Sequence, residues 1–307
     1  MKGMKFKIEK VFEITKEDKE YPEKLRQVDS PPQKLYVLGN TELLKNKAIA
    51  IVGTRKNTEY GARYTKRFAS QLSNCGITII SGLALGIDTI AHQNSMKGLG
   101  RTIAVIGSGF EHIYPNENKK LFNQILQNDG CIISEYSPDT PVNMLNFPLR
   151  NRIIAGLSLG VLVTEARFRS GSSITARDAF AQNKPVFCLP NKLGETTGVG
   201  PNNLIKIGAH LVTNVNDILS EIGEQLILPE KLNAEQKELI KRKDFNISKI
   251  EKQYRSIFKA LQEEPININE LARKTQKSII EINQKITIME IEGLIEVLPG
   301  NIIKIKE

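Results

Sequence analysis

Four short stretches carry glycine, serine or arginine in a way that suits an anion. Gly53-Thr54-Arg55 follows the apolar run Ile49-Ala50-Ile51-Val52, and Ser81-Gly82 follows Ile77-Thr78-Ile79-Ile80. Phe147-Pro148-Leu149-Arg150-Asn151-Arg152 and Ser170-Gly171-Ser172, with Arg167 just upstream of the latter, complete the set. Glycine at the end of a strand lets backbone N–H groups converge on a phosphate, and the amino end of a following helix adds partial positive charge. Arginine supplies a planar fork of donors that matches phosphate oxygens. Each stretch also has a plainer explanation: Arg150 or Arg152 could pair with Glu135 or Glu165 inside the fold, and Ser170 could be an ordinary helix N-cap. Taken together they predict phosphate binding, with Phe147 as a stacking platform for an unpaired base.

Groups suited to catalysis are sparse. Glu165, near the serine-rich turn, and Asp88, four residues before His92, are the acids a hydrolase would use. Asp88 equally fits a first-turn helix acid facing the macrodipole, and His92 has no metal-ligand spacing around it. Gly107-Ser108-Gly109 has His112 where a dinucleotide-binding turn needs its third glycine, which argues against NAD or FAD. Phe110 and Tyr114 nearby could stack on bases or cover the sheet edge. Cys75, Cys131 and Cys188 form no CxxC pair, so neither a disulfide framework nor a zinc site is predicted. No catalytic residue, cofactor or metal is expected.

These groups need a scaffold that gathers them, and the pattern of the chain provides one. Apolar runs at residues 49–52, 77–80, 102–106, 131–134, 160–164, 186–189 and 210–212 alternate with helical spacing, as in Tyr60, Tyr64, Phe68 and Leu72. Such alternation predicts an α/β fold with a Rossmann-like, doubly wound, mainly parallel sheet. Ligands of open α/β sheets bind at the carboxyl ends of the strands, where the turns after Val52 and Ile80 should lie side by side with exposed amides. Residues 147–152 should lead into a helix whose first turns hold Ile153, Ile154 and Leu157. Before the sheet, residues 21–25 read as a short helix and 30–39 as an edge strand.

The four motifs, in the order Gly53-Thr54-Arg55, Ser81-Gly82-Leu83-Ala84-Leu85-Gly86-Ile87-Asp88, residues 147–158 from Phe147 to Ser158, and residues 170–177 from Ser170 to Arg177, resemble the DNA-processing protein A family (DprA, also called Smf). The resemblance spans roughly residues 21–219. It implies a cytoplasmic, non-enzymatic protein that binds and protects incoming single-stranded DNA and loads the recombinase RecA on it during natural transformation, as a homodimer. It also implies that the loop from Gly194 to Asn203 could close over the site.

Composition is consistent with a polyanionic partner. The formal charge is +9 and the sequence pI about 9.3. No apolar run reaches the roughly 20 residues of a membrane span, and the amino terminus lacks the apolar core of a signal peptide. Four segments are expected: a lead-in over residues 1–47, the core over 48–228, a hydrophilic linker over 229–249 and a winged helix over 250–307. The last rests on helical segments at 257–261, 268–272 and 279–291, followed by a hairpin around Pro299-Gly300-Asn301. Ten basic and nine acidic residues follow Phe245, too balanced for a strong duplex-binding module. Two other functions compete. One is a LOG-type nucleotide phosphoribohydrolase, whose Pro-Gly-Gly-x-Gly-Thr turn is replaced here by Ser170-Gly171-Ser172-Ser173-Ile174-Thr175. The other is a winged-helix transcription regulator with a ligand-sensing core.

Overall fold

The computed structural model describes residues 10–168 and 170–223, and in the tail residues 254–261, 266–275, 277–279, 281–282, 285–286, 289, 295–298 and 302–305. The predicted linker over 229–249, Arg169 and the turn at Pro299-Gly300-Asn301 lie outside them. The chain separates into two compact units, Met1–Leu228 and Pro229–Glu307.

The first unit is built on a nine-stranded sheet: β1 (Phe12–Thr15), β2 (Lys34–Gly39), β3 (Ala48–Val52), β4 (Thr78–Ser81), β5 (Thr102–Ile106), β6 (Cys131–Ser134), β7 (Gly160–Val163), β8 (Val186–Cys188) and β9 (His210–Leu211). Their spatial order is β1-β2-β6-β5-β4-β3-β7-β8-β9. Pairing is parallel from β6 through to β9, and antiparallel between β1 and β2 and between β2 and β6. From β3 the chain first winds outward through β4, β5 and β6, then returns to place β7 on the other flank of β3, with Ile49 opposite Gly160 and Val52 opposite Val163. The reversal makes β3 and β7 the switch point at which the loops above the sheet diverge and leave a crevice.

The strands are short β-branched runs because both faces are covered. Ala48, Ala50 and Val52 pack into one apolar layer, and Ile49 and Ile51 into the other. On the first face lie α1 (Glu23–Arg26), α5 (Asn146–Leu157), α6 (Gly171–Ala181) and α7 (Val199–Lys206). The second face carries α2 (Glu59–Asn74), α3 (Ile87–Ser95), α4 (Lys119–Gln127) and α8 (Val215–Glu221). Ile49, Ile51, Ile79 and Ile80 are fully buried. Each contributes about 1.5–3 kcal/mol by leaving water, and truncating one to alanine would cost about 2–5 kcal/mol.

Two local features differ from expectation. The edge strand is β1 rather than residues 34–39: Thr15 pairs with Lys34, and β2 is in turn paired to β6, so the lead-in residues belong to the same sheet as the core. The alternation of Phe12 and Ile14 with polar neighbours is the signal, hidden among lysines and glutamates. The other difference is at α5, which begins at Asn146 and takes Phe147, Pro148, Arg150, Asn151 and Arg152 into the helix itself. Pro148 is tolerated because first-turn N–H groups have no intrahelical acceptor to lose.

The second unit contains helices at Arg255–Leu261 and Ile268–Thr275 and a three-stranded sheet in the order β10-β12-β11, formed by β10 (Ile266–Asn267), β11 (Ile295–Leu298) and β12 (Ile302–Ile305). Ile257, Leu271, Ile282, Met289, Ile295 and Ile303 form its core. Helices packed on a small antiparallel sheet are the winged-helix arrangement; β10, between the helices, was not legible beside Pro265. Among the described residues no helix is long and apolar enough to cross a membrane.

Candidate nucleic-acid interface

A cavity of about 490 Å³ opens beyond the carboxyl ends of β3 and β7. Its position follows from the strand order: the turn after β3 and the turn after β7 are carried by neighbouring strands, whereas their helices leave toward opposite faces. Gly53, Thr54, Arg55, Phe147, Arg150, Asn151, Arg167, Ser170, Gly171 and Ser172 line it. Gly82 lies alongside, in a smaller adjoining hollow of about 50 Å³ that shares Arg55, Ala84, Phe147 and Arg150 with the first. Ser81 and Arg152 line neither.

The fold assigns these residues different work. Arg55 and Arg167 are exposed at the cavity's rim, joined there by exposed Lys56, which sequence reasoning missed. Arg150 is buried, 5% exposed. Its guanidinium donates to Gly82 O at 2.7 Å and to Val105 O, and its Nε donates to Asn151 Oδ1 at 3.3 Å. It thereby ties the end of β5 to the turn after β4. Gly82 leaves room for it: a Cβ there would stand 2.6 Å from Arg150 Nη2. Asn151 donates from Nδ2 to Gly171 O at 3.2 Å, so α5 holds the start of α6 in place. Arg152, two residues on, points elsewhere, its Nη2 donating to Glu135 Oε1 at 2.6 Å and its Nε to Ser30 O at 2.9 Å.

The turn amides do not all behave as expected. In the turn after β4 they are already taken: Asp88 Oδ2 accepts from Gly82 N at 3.0 Å and from Ala84 N at 3.3 Å, and the buried Ser81 hydroxyl donates to Ile51 O at 2.6 Å. A second cradle of exposed amides is therefore absent there, because a buried carboxylate needs those donors more than solvent does. After β3, Thr54 N donates to Glu165 O at 2.7 Å. The groups left open to an anion are therefore side chains at the rim and the first turn of α6. There Ser170 makes no side-chain cap and instead sets its hydroxyl 2.9 Å from that of Ser172 and 3.2 Å from that of Ser173.

Charge is layered in this cavity. Burial lowers the pKa of Arg150 to about 10, against the opposing pull of Asp88, so the guanidinium stays charged at neutral pH. Burial pushes the Asp88 carboxyl upward while the Arg150 guanidinium and the turn amides draw it down. At the floor Arg150 and Asp88 favour one another's charged forms, and among the described residues Arg55, Lys56 and Arg167 are exposed basic groups at the mouth. Glu165, the other acid a hydrolase would use, is 1% exposed and does not line the cavity. Its carboxylate accepts from Thr58 N at 2.9 Å, Thr58 Oγ1 at 2.6 Å and Thr197 Oγ1 at 3.2 Å, fastening the N-cap of α2 to the loop before α7. That loop, expected to close over the site, is held against Ala166 and Glu165 and contributes no lining residue. His92 is fully buried with Nδ1 2.7 Å from Thr102 Oγ1, and burial lowers its pKa to about 3.

Of the two aromatic candidates beyond Phe147, Phe110 is 2% exposed and packs on Phe122 in the core. Tyr114 is 38% exposed and lies beside Phe147, with ring centroids 5.4 Å apart.

Comparison with known proteins places this architecture. The family described as DNA recombination-mediator protein A matches residues 13–223, and the DprA winged helix domain matches residues 243–301. The chain is 37% identical to protein Smf of Synechocystis sp., over 94% of this chain and 78% of that one. It is 41% identical to DNA processing protein DprA of Bacillus subtilis, over 67% of this chain and 70% of the relative. The structure of DprA from Streptococcus pneumoniae superposes with a TM-score of 0.66 at 40% identity, covering 70% of this chain and 75% of that one. That of DNA processing protein A from Helicobacter pylori, a study of its single-stranded DNA binding mode, gives a TM-score of 0.62 at 36% identity, covering 68% and 95%. A Rossmann-like sheet with its cavity at the β3/β7 switch point, a winged-helix tail and sequence identity along nearly the whole chain lead to one assignment: this protein belongs to the DNA-processing protein A (DprA/Smf) family.

Proposed function

We propose that the cavity holds the sugar-phosphate backbone of single-stranded DNA, and that the protein acts without catalysis as a recombination mediator. The observation that carries this reading is the layering of charge. Arg55, Lys56 and Arg167 stand exposed at the mouth and the first turn of α6 faces inward, while Asp88 favours the charged form of the buried Arg150. Exposed cations beside aromatic rings suit an unpaired strand, whose phosphates and base faces are both accessible, better than a duplex. In the same reading the protein is a cytoplasmic homodimer that protects incoming DNA and loads RecA on it during natural transformation. Those steps draw support from family membership and from the H. pylori relative's study of single-stranded DNA binding.

Fluorescence polarisation tests the reading with labelled oligothymidylate against duplex of equal length, at two salt concentrations, using the full chain and a truncation ending at Leu228. We expect preference for the single strand, weakened by salt and retained by the truncation. Equal affinity at both salt concentrations, or duplex binding that disappears with the tail, refutes it.

A further inference from the structure

Glu165 sits between the two strand turns that carry the exposed cations, and it bonds to both sides. Its backbone O accepts from Thr54 N at 2.7 Å, and its carboxylate accepts from Thr58 N at 2.9 Å and from Thr58 Oγ1 at 2.6 Å. The turn over residues 54–58 is therefore pinned at both ends by one residue, and Arg55 and Lys56 lie between the pins. Within the turn, Lys56 N donates to Thr54 Oγ1 at 3.2 Å. Arg167 stands two residues beyond Glu165, and the residue before it is held from the far side. Ala166 N donates to Thr197 O at 2.7 Å, Gly200 N donates to Ala166 O at 2.9 Å, and Thr197 Oγ1 donates to Glu165 Oε1 at 3.2 Å.

The surrounding glycines leave room for this arrangement. A Cβ on Gly53 would stand 2.8 Å from Glu165 O, one on Gly200 would stand 2.6 Å from Ala166 Cβ, and one on Gly61 would overlap the Glu165 carboxylate. Glu165 is 1% exposed and does not line the cavity, so it meets no ligand itself. A buried carboxylate keeps its place only where donors satisfy it, and here every donor belongs to a segment that carries or braces the rim. Arginine and lysine side chains are flexible, so their affinity for a phosphate depends on how firmly the backbone beneath them is fixed. We propose that Glu165 is a positioning residue for single-strand binding: it sets the spacing of Arg55 and Lys56 against Arg167, so that cations from two neighbouring strand turns act on one sugar-phosphate backbone. The inference rests on the single-strand reading of the cavity, and it gives the acid that a hydrolase would have used a part in binding geometry.

The test measures binding of a labelled oligothymidylate by the full chain, well below the melting temperature of each variant. Wild type is compared with Glu165→Ala, Glu165→Gln, Gly61→Ala, Arg55→Ala and the double variant Arg55→Ala/Glu165→Ala. Glu165→Ala should bind about 10-fold more weakly than wild type, yet in the Arg55→Ala background it should cost less than about threefold, because the residue acts through the arginine. Glu165→Gln should recover most of the loss: its amide oxygen still accepts from Thr58 N, and its NH2 can donate to the hydroxyls of Thr58 and Thr197. Gly61→Ala keeps Glu165 in the chain but displaces its carboxylate, and alanine is the better helix former, so this variant should also bind several-fold more weakly. If Glu165→Ala does not fold, Gly61→Ala with and without Arg55→Ala makes the same comparison. Equal losses with and without Arg55, a Glu165→Gln variant as weak as Glu165→Ala, or wild-type affinity in both Glu165→Ala and Gly61→Ala overturns the positioning role and leaves the single-strand reading intact. If wild type does not bind the strand, the reading of the main cavity has failed and the positioning role falls with it.

Discussion

Replacing Arg150 by alanine should destabilise the core, because its side chain serves the fold rather than a ligand. The side chain is buried, its guanidinium donates to Gly82 O and to Val105 O, and the nearby Asp88 carboxyl favours its charged form. Truncation leaves two buried carbonyls without donors, at about 1–3 kcal/mol each, and removes the cation that favours the Asp88 carboxylate. These losses overlap, because the same guanidinium serves all three groups. A total of about 3–5 kcal/mol is the consistent figure. For a unit of this size each kcal/mol lowers Tm by about 2–4 °C, so the fall should be roughly 6–20 °C. Differential scanning fluorimetry on the variant and on wild type, at neutral pH and the same salt, measures it. A Tm within about 2 °C of wild type would show that the guanidinium is dispensable to the fold, and the division between structural and rim arginines would collapse with it.

Arg55→Ala should do the reverse. Arg55 is exposed and lies at the cavity's mouth, so Tm should move by no more than the change typical of surface substitutions, about 0.5 kcal/mol, while strand affinity falls about 10- to 100-fold and the salt slope of binding decreases by about one. A large loss of stability would make Arg55 structural. For His92 the folded pKa of about 3 lies below the unfolded value of 6.5, so between those values the unfolded chain binds a proton that the folded chain refuses. Stability should therefore drop as pH falls below about 6.5, by up to about 1.4 kcal/mol per pH unit from this group. Asp88, whose carboxyl is raised in the fold, acts in the opposite direction, so the comparison is between wild type and His92→Gln. The variant should show a shallower decline of Tm toward about pH 5, and identical slopes would count against a neutral buried imidazole.

Much of the scaffold was legible locally. A run such as Ile49-Ala50-Ile51-Val52 makes a doubly covered strand wherever it occurs, because alternate side chains enter opposite layers, and the seven core strands were read within a residue of their observed ends. Residue types suited to phosphate could be read in the same way, since glycine, serine and arginine carry their chemistry with them. Assembly could not be read so directly. Strand order is decided by which long crossovers bury the most apolar surface, and only the return of β7 to the flank of β3 brings Ser170–Ser172 to Gly53–Arg55. Arg150 and Arg152 look equivalent in the chain, but two residues along a helix turn a side chain by about 200°, so one enters the core and the other meets Glu135. The amides after β4 looked available until Asp88, six residues further on, proved to be bonded to them. The elements and the chemical vocabulary of this protein can be read from the chain, because both are properties of neighbouring residues. The tertiary structure alone decided which arginines face a ligand and which hold the fold, because that depends on what lies across the gap.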